Sequence, residues 1–226
     1  MAPALKLYGW AMSPFVARAL LCLEEAGVEC ELVSMIRDAG DHRLPDFLSK
    51  NPFGQVPVLQ DGDLTLFESR AIARHVARKY KPELLCGDGS PASAAMVDVW
   101  MEVEAQQHHA PAGAIVIQCI AVELLGGVRD QAIVDENVSK LATVLDVYEA
   151  RLSGSRYLAG GTTVSLADLC HFPIMRYFME TEYSTMVEER PHVKAWWEDL
   201  KARPAARKVI ESMPPDFGVG KKKTED

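Results

Sequence analysis

Between Leu5 and about Tyr80 the chain alternates short apolar runs with helical patterns. KLYGW, SPFVARALLCLEEAG, CELVSM, VPVLQDG, LTLF and SRAIARHVARKY follow one another. That order reads βαβ and then ββα. The first helix has Ser13 in a capping position, Pro14 at its first helical position, Val16, Leu20 and Leu23 on one face, and Gly27 as its stop. The strands flanking it are expected to run parallel. Between VPVLQ and LTLF lies DGD, a hairpin signal that makes the next two strands antiparallel neighbours, and the following helix returns across the sheet. A compact α/β domain over residues 1–82 is the expectation.

The stretch KPELLCGDGSPAS, residues 81–93, breaks this rhythm with two prolines, two glycines and small polar residues, which places a linker at 83–92. Residues 93–215 then read as all-helical. Over residues 135–152, Val138, Leu141, Leu145, Tyr148 and Leu152 recur at spacings of three and four and form one apolar stripe. Ser165 and Asp168 have the spacing of a capping box that opens a helix through Cys170, Phe172, Ile174 and Met175. The end, GVGKKKTED, carries charge without apolar anchors, so residues 216–226 are expected to form a frayed tail.

A chain of 226 residues, 48% hydrophobic, can bury the core of one large domain or two small ones. Its net charge of −8, without a basic stripe, argues against nucleic acid as a partner, because phosphate binding draws on clustered Lys and Arg. No run approaches the roughly 18 apolar residues of a membrane span, and MAPALKLYGW lacks the regions of a secretory signal, so no membrane partner and a cytoplasmic address are expected. The cysteines Cys22, Cys30, Cys86, Cys119 and Cys170 are odd in number and scattered, and read as free thiols. Neither they nor the six histidines have the spacing of a metal site, and His108 and His109 point to different faces of any helix.

Three segments put polar groups where strands end or helices begin. In Trp10-Ala11-Met12-Ser13-Pro14-Phe15 the Ser13 hydroxyl lies at a helix N-terminus, where it either caps the helix or donates to an anion. Spacing alone favours the cap. In Asn51-Pro52-Phe53-Gly54-Gln55-Val56-Pro57 a cis Val56-Pro57 bond is allowed; it would turn the Val56 backbone outward for a peptide-like ligand, with Gln55 adding an amide. An ordinary loop is the other reading. In Phe67-Glu68-Ser69-Arg70 the Ser69 hydroxyl and N–H suit a carboxylate and Glu68 suits an ammonium, together an α-amino acid head group, or both residues serve the helix start. His42-Arg43, after the second strand, offers donors or a solvated loop.

Taken together these residues resemble the glutathione transferases of the plant phi class. The match is carried by NPFGQVPVLQDGDLTLFESRAI, the serine after the first strand, VDVWMEVEA, YEARL, SLADL and HVKAWW, and it covers nearly the whole chain. The resemblance implies a thioredoxin-like N-terminal domain, an all-helical C-terminal domain and a homodimer. It implies glutathione as co-substrate, with no cofactor, and hydrophobic electrophiles as its partners. By position Ser13 matches the serine that hydrogen-bonds the glutathione sulfur. Glu68 and Ser69 match the pair on its γ-glutamyl end, Val56 beside Pro57 the backbone partner of its cysteinyl residue, and Gln55 and His42 the side chains toward its glycine end. Arg43 stands where the pattern usually has lysine, which keeps the charge and changes its geometry. Trp10, Met12, Pro14 and Phe15, with Ile117 and Ala121 on a helix, match the electrophile pocket, although HHAPAGAIVIQCIAVE departs most from close relatives.

The implied activity is attack of the glutathione thiolate on hydrophobic electrophiles, as in xenobiotic and herbicide detoxification, with peroxide reduction as a side reaction. A non-catalytic carrier of flavonoids or other aromatic ligands is the alternative on the same fold. Thiol–disulfide exchange is disfavoured, because serine occupies the turn and Cys22 lies nine positions beyond it.

Overall fold

The computed structural model describes residues 5–217. Strand β1 (Leu5–Gly9) leads into helix α1 (Pro14–Ala26) and strand β2 (Cys30–Ser34). A 3₁₀ turn (Asp41–Arg43) and the short helix α2 (Pro45–Leu48) precede β3 (Val58–Asp61), β4 (Leu64–Phe67) and helix α3 (Ser69–Tyr80). The sheet order is β2-β1-β3-β4, with β1 parallel to β2 and antiparallel to β3. Asp61 pairs with Leu64 across the Gly62-Asp63 turn, so the hairpin has the two-residue form that DGD announces. This is the expected thioredoxin-like arrangement.

Local chemistry sets the element ends. Helix α1 starts at Pro14, whose missing N–H has no helical partner to lose, and stops at Gly27, whose φ of +66° lets the chain turn out of the helix. Gly9 has a different duty: a side chain there would bring its Cβ to 2.6 Å from Val16, so only glycine lets β1 end against α1.

The helical region begins with α4 (Glu83–Cys86) and α5 (Pro91–Val103). The stretch 83–92, expected as a plain linker, therefore contains a helical turn and the first residues of α5. Ser90 provides the cap of α5, accepting the Ser93 N–H at 3.1 Å. Beyond α5 the helix widens into a π segment (Glu104–His108), continues as α6 (His109–Val116) and widens again over Ile117–Val122.

Helix α7 (Gln131–Leu152) starts earlier than the stripe at 135–152 suggests, because Asp130 caps it by accepting the Ala132 and Ile133 N–H groups. In helix α8 (Leu166–Phe178) the Asp168 carboxylate accepts the Ser165 N–H at 2.9 Å and its hydroxyl at 2.7 Å. The same carboxylate takes the Leu158 N–H and the Trp196 indole N–H, so the capping box also fastens α8 to its surroundings. Helices α9 (Thr185–Glu188), α10 (Pro191–Lys201) and α11 (Pro204–Ile210) follow among the described residues. One continuous core runs from Leu7 and Leu59 of the sheet, through Ala17, Leu21 and Val76, to Phe172, Tyr177 and Trp197, so the two regions share their apolar interior.

Of the expected tail 216–226, Asp216 and Phe217 are described and lie in a turn. Phe217 stacks on Tyr177 with ring centroids 3.9 Å apart, because an aromatic ring has apolar area to cover where the residues after it have charge. The residues after 217 lie outside the described ones.

Candidate functional site

Strand register gathers the predicted segments at one end of the sheet. Tyr8 pairs with Val58, Val58 with Phe67, and Gly9 with Ser34. The exits of β1, β2 and β4 and the entry of β3 are thus side by side, and residues 10–15, 42–43, 51–57 and 68–70 share that edge. His42 reaches across to Trp10, their rings meeting edge-on at 5.6 Å.

Ser13 is 5% exposed, at the mouth of α1. Its N–H closes the turn onto the Trp10 carbonyl at 3.0 Å, and its carbonyl accepts from Ala17 at 2.8 Å. The hydroxyl makes no capping hydrogen bond. The capping role that spacing favoured is therefore not taken up, and a donor remains beside the positive end of a helix dipole.

Ser69 is buried at the start of α3, where its hydroxyl oxygen accepts from Arg18 Nη1 at 2.8 Å. Its own proton is left for an acceptor. Glu68 is exposed, makes no cap bond and has φ +69°, a conformation that costs a non-glycine residue on the order of 1–3 kcal/mol. The Val56-Pro57 bond is cis, and the Val56 main chain takes no hydrogen bond from the described residues. Buried Asn51 shapes this loop, donating to the Gln55 carbonyl at 2.7 Å and accepting the Phe53 N–H at 3.1 Å. The Gln55 side chain is exposed, as is Arg43, which has no ion pair among the described residues. Among the described residues His42 Nδ1 is buried without a partner, the kind of orphan that a bound ligand resolves.

On the apolar side Trp10, Met12 and Pro14 are half-buried, and the Phe15 ring is tilted on His109 at 5.4 Å. Ile117, 54% exposed, and half-buried Ala121 lie on the second π segment, at the opposite end of α6 from His109. His109, at the start of α6, thus meets the turn at residues 10–15 through the Phe15 ring.

Sequence reasoning missed the charged group beneath the site. Arg18 on α1 donates to Ser69, to the Cys170 carbonyl at 3.1 Å and to Glu104 at 3.2 Å. Arg70 holds Glu104 with two bonds, of 2.6 and 2.9 Å. Burial pushes the Glu104 carboxyl up, but Arg18, the Arg70 bond and more distantly His171 outweigh it and hold the group at about 2. Burial, with Arg18 nearby, lowers His109 to about 4, so its ring is neutral at pH 7. A signal existed: Arg18 stands at helical spacing from Phe15, Leu21 and Cys22, and a charge among apolar neighbours needs a buried partner. Burial also drives the thiols of Cys22 and Cys170 up, the latter to about 12, which keeps both protonated. Among the described residues no group of three or more His, Cys, Asp or Glu could hold a metal ion, and no helix is long and apolar enough to cross a membrane.

Residues 3–78 match the N-terminal domain and residues 100–204 the C-terminal domain of glutathione S-transferase. Glutathione S-transferase 4 of Zea mays is 63% identical over 219 residues, covering 97% of each chain. Glutathione transferase F7 of Populus trichocarpa superposes with a TM-score of 0.90 at 49% identity, over 93% of this chain and 100% of that one. Maize glutathione S-transferase I, solved in complex with an atrazine glutathione conjugate, gives a TM-score of 0.89 at 50% identity, over 94% and 99%. The chain therefore belongs to the glutathione S-transferase family. Within it, the chain sides with the phi class of plants.

Proposed function

We propose that the protein conjugates glutathione to hydrophobic electrophiles and that Ser13 holds the reacting sulfur as thiolate. The observation that carries this reading is the buried Ser13 hydroxyl, placed at a strand-to-helix junction and not spent on its own helix. A free thiol ionises near pKa ~8.5, and lowering that value by about two makes thiolate the main species at pH 7. One hydroxyl donor and a helix N-terminus supply interactions of that size. The thiol proton leaves to solvent, the sulfur lone pair forms the carbon–sulfur bond, and a leaving group departs with its bonding electrons or the electrons move into the acceptor.

Glutathione binds along the gathered edge, its γ-glutamyl end at Glu68 and Ser69 and its cysteinyl backbone on Val56 beside Pro57. Its glycine end lies toward Gln55, His42 and Arg43. Trp10, Met12, Pro14 and Phe15 line the electrophile side, with Ile117 and Ala121 beyond. The maize relative bound to an atrazine conjugate supports substrates of the herbicide kind and a role in xenobiotic detoxification. A cytoplasmic address fits this role, with glutathione as co-substrate and no further cofactor.

Initial rates with glutathione and a panel of aryl halides test the reading. The wild type should form the thioether, and Arg43→Ala should raise KM for glutathione by about threefold, the scale of an exposed charge pair, with kcat nearly unchanged. No conjugate with any halide would overturn the activity. A collapse of kcat at fixed KM would overturn the place given to Arg43.

The protein acts as a homodimer. Phe53 is 70% exposed beside Phe67, Val99 is 50% exposed on α5, and a partner subunit would cover such area. Light scattering should give about twice the chain mass. An active monomer at micromolar concentration contradicts this.

A further inference from the structure

The turn that carries Ser13 is gripped from the helical region by a group that the proposed chemistry does not use. Tyr177, fully buried in the last turn of α8, donates its hydroxyl proton to the Met12 carbonyl at 2.6 Å. Met12 immediately precedes Ser13, so this carbonyl and the Ser13 N–H belong to one peptide unit. Its nitrogen end is tied to the Trp10 carbonyl at 3.0 Å and its oxygen end to Tyr177. The Ser13 side chain makes no cap bond to this arrangement among the described residues. The peptide plane, and with it the direction of the Ser13 Cα–Cβ bond, is therefore set partly by Tyr177.

The Tyr177 ring is held in turn. Phe217 stacks on it at 3.9 Å with 18° between the planes. Phe217 has φ +49°, a left-handed conformation rare for an aromatic residue, and in it the ring lies on Tyr177. Burial pushes the Tyr177 hydroxyl above its ordinary value, so it remains a donor wherever the enzyme works; Arg176 and Asp216 are the charged groups close enough to act on it.

We propose that Tyr177, backed by Phe217, is a positioning residue for the reaction: it orients the Met12-Ser13 peptide so that the Ser13 hydroxyl points at the glutathione sulfur. This rests on the reading of Ser13 given above. Neither residue touches the sulfur. Their effect passes through the turn, and a donor displaced by a fraction of an ångström stabilises a thiolate less well.

Tyr177→Phe removes one oxygen and keeps the ring stack, and Phe217→Ala removes the stack and keeps the hydroxyl. Each should be titrated with bound glutathione, following the ultraviolet absorption of the thiolate, beside steady-state kinetics and thermal unfolding. Tyr177→Phe is expected to raise the bound-thiol pKa by about one and lower kcat at pH 7 by about threefold, with KM for glutathione unchanged and the loss vanishing near pH ~9. Phe217→Ala should shift it the same way by less, and the double variant no further than Tyr177→Phe alone. A purely structural role would lower the melting temperature and leave the pKa where it was; that result overturns the proposal. If Ser13→Ala raises the bound-thiol pKa and Tyr177→Phe does not, the positioning role alone falls. If neither variant moves it, the reading of Ser13 falls too.

Discussion

Glu104→Ala should lower the melting temperature by on the order of 10 °C, the largest stability loss expected from a single substitution at this site. Glu104 is fully buried and faces both Arg18, 1% exposed, and Arg70. Removing it leaves a guanidinium in the interior with its charge unbalanced, which costs about 3–5 kcal/mol. Glu104→Gln keeps the volume and an acceptor, so it should lose less. The wild-type pH dependence follows from the same contacts. The Glu104 carboxyl, held at about 2 in the folded chain against an ordinary 4.5, contributes fully above 4.5, and that contribution is lost as pH falls toward 2. His109, lowered from 6.5 to about 4, refuses a proton that the unfolded chain accepts, so stability also declines as pH falls across that window. Urea unfolding across this range should show both declines, and Glu104→Ala should lack the lower one. A variant that melts within about 2 °C of wild type would mean that the buried ion group does not hold the two regions together.

Ser13→Ala should reduce kcat at pH 7 by about 25-fold while leaving the melting temperature close to wild type. The factor follows from ionisation: a thiol of pKa ~6.5 is mostly thiolate at pH 7, and one of ~8.5 is about 3% thiolate. The unchanged stability follows from the structure, because the hydroxyl makes no cap bond that alanine would remove. Loss of donor and cap together, which the sequence alone suggests, is thereby reduced to loss of the donor. The deficit should shrink as pH rises and nearly disappear at pH ~9, where even an unassisted thiol ionises. Ser13→Asp should fold and be inactive at every pH, since it sets a negative charge against the thiolate. A loss that stays constant with pH would mean that Ser13 acts on something other than sulfur ionisation.

The parts of this molecule that were legible in the sequence are those governed by neighbours along the chain. Gly27 stops α1, DGD closes the β3–β4 hairpin, Asp168 answers Ser165, and the stripe from Val138 to Leu152 announces α7. The segments that lie together at one end of the sheet were legible because they sit at strand ends and helix starts. What escaped depends on partners far along the chain. Arg18 and Glu104 lie 86 positions apart, and Tyr177 and Met12 are separated by 165, so neither pairing leaves a local pattern. Phe217 looked like the start of a tail because its stacking partner belongs to α8. The π segments escaped for a related reason: Glu104–His108 and Ile117–Val122 keep helical periodicity nearly intact while adding a residue to the turn, and composition alone does not mark that.

The central claim is that the Ser13 hydroxyl stabilises the thiolate of bound glutathione, and a spectroscopic pH titration of that thiol tests it most directly. With saturating glutathione, the thiolate absorption should rise with a midpoint near pH ~6.5 in the wild type and near ~8.5 in Ser13→Ala. Equal midpoints in the two proteins would contradict the claim.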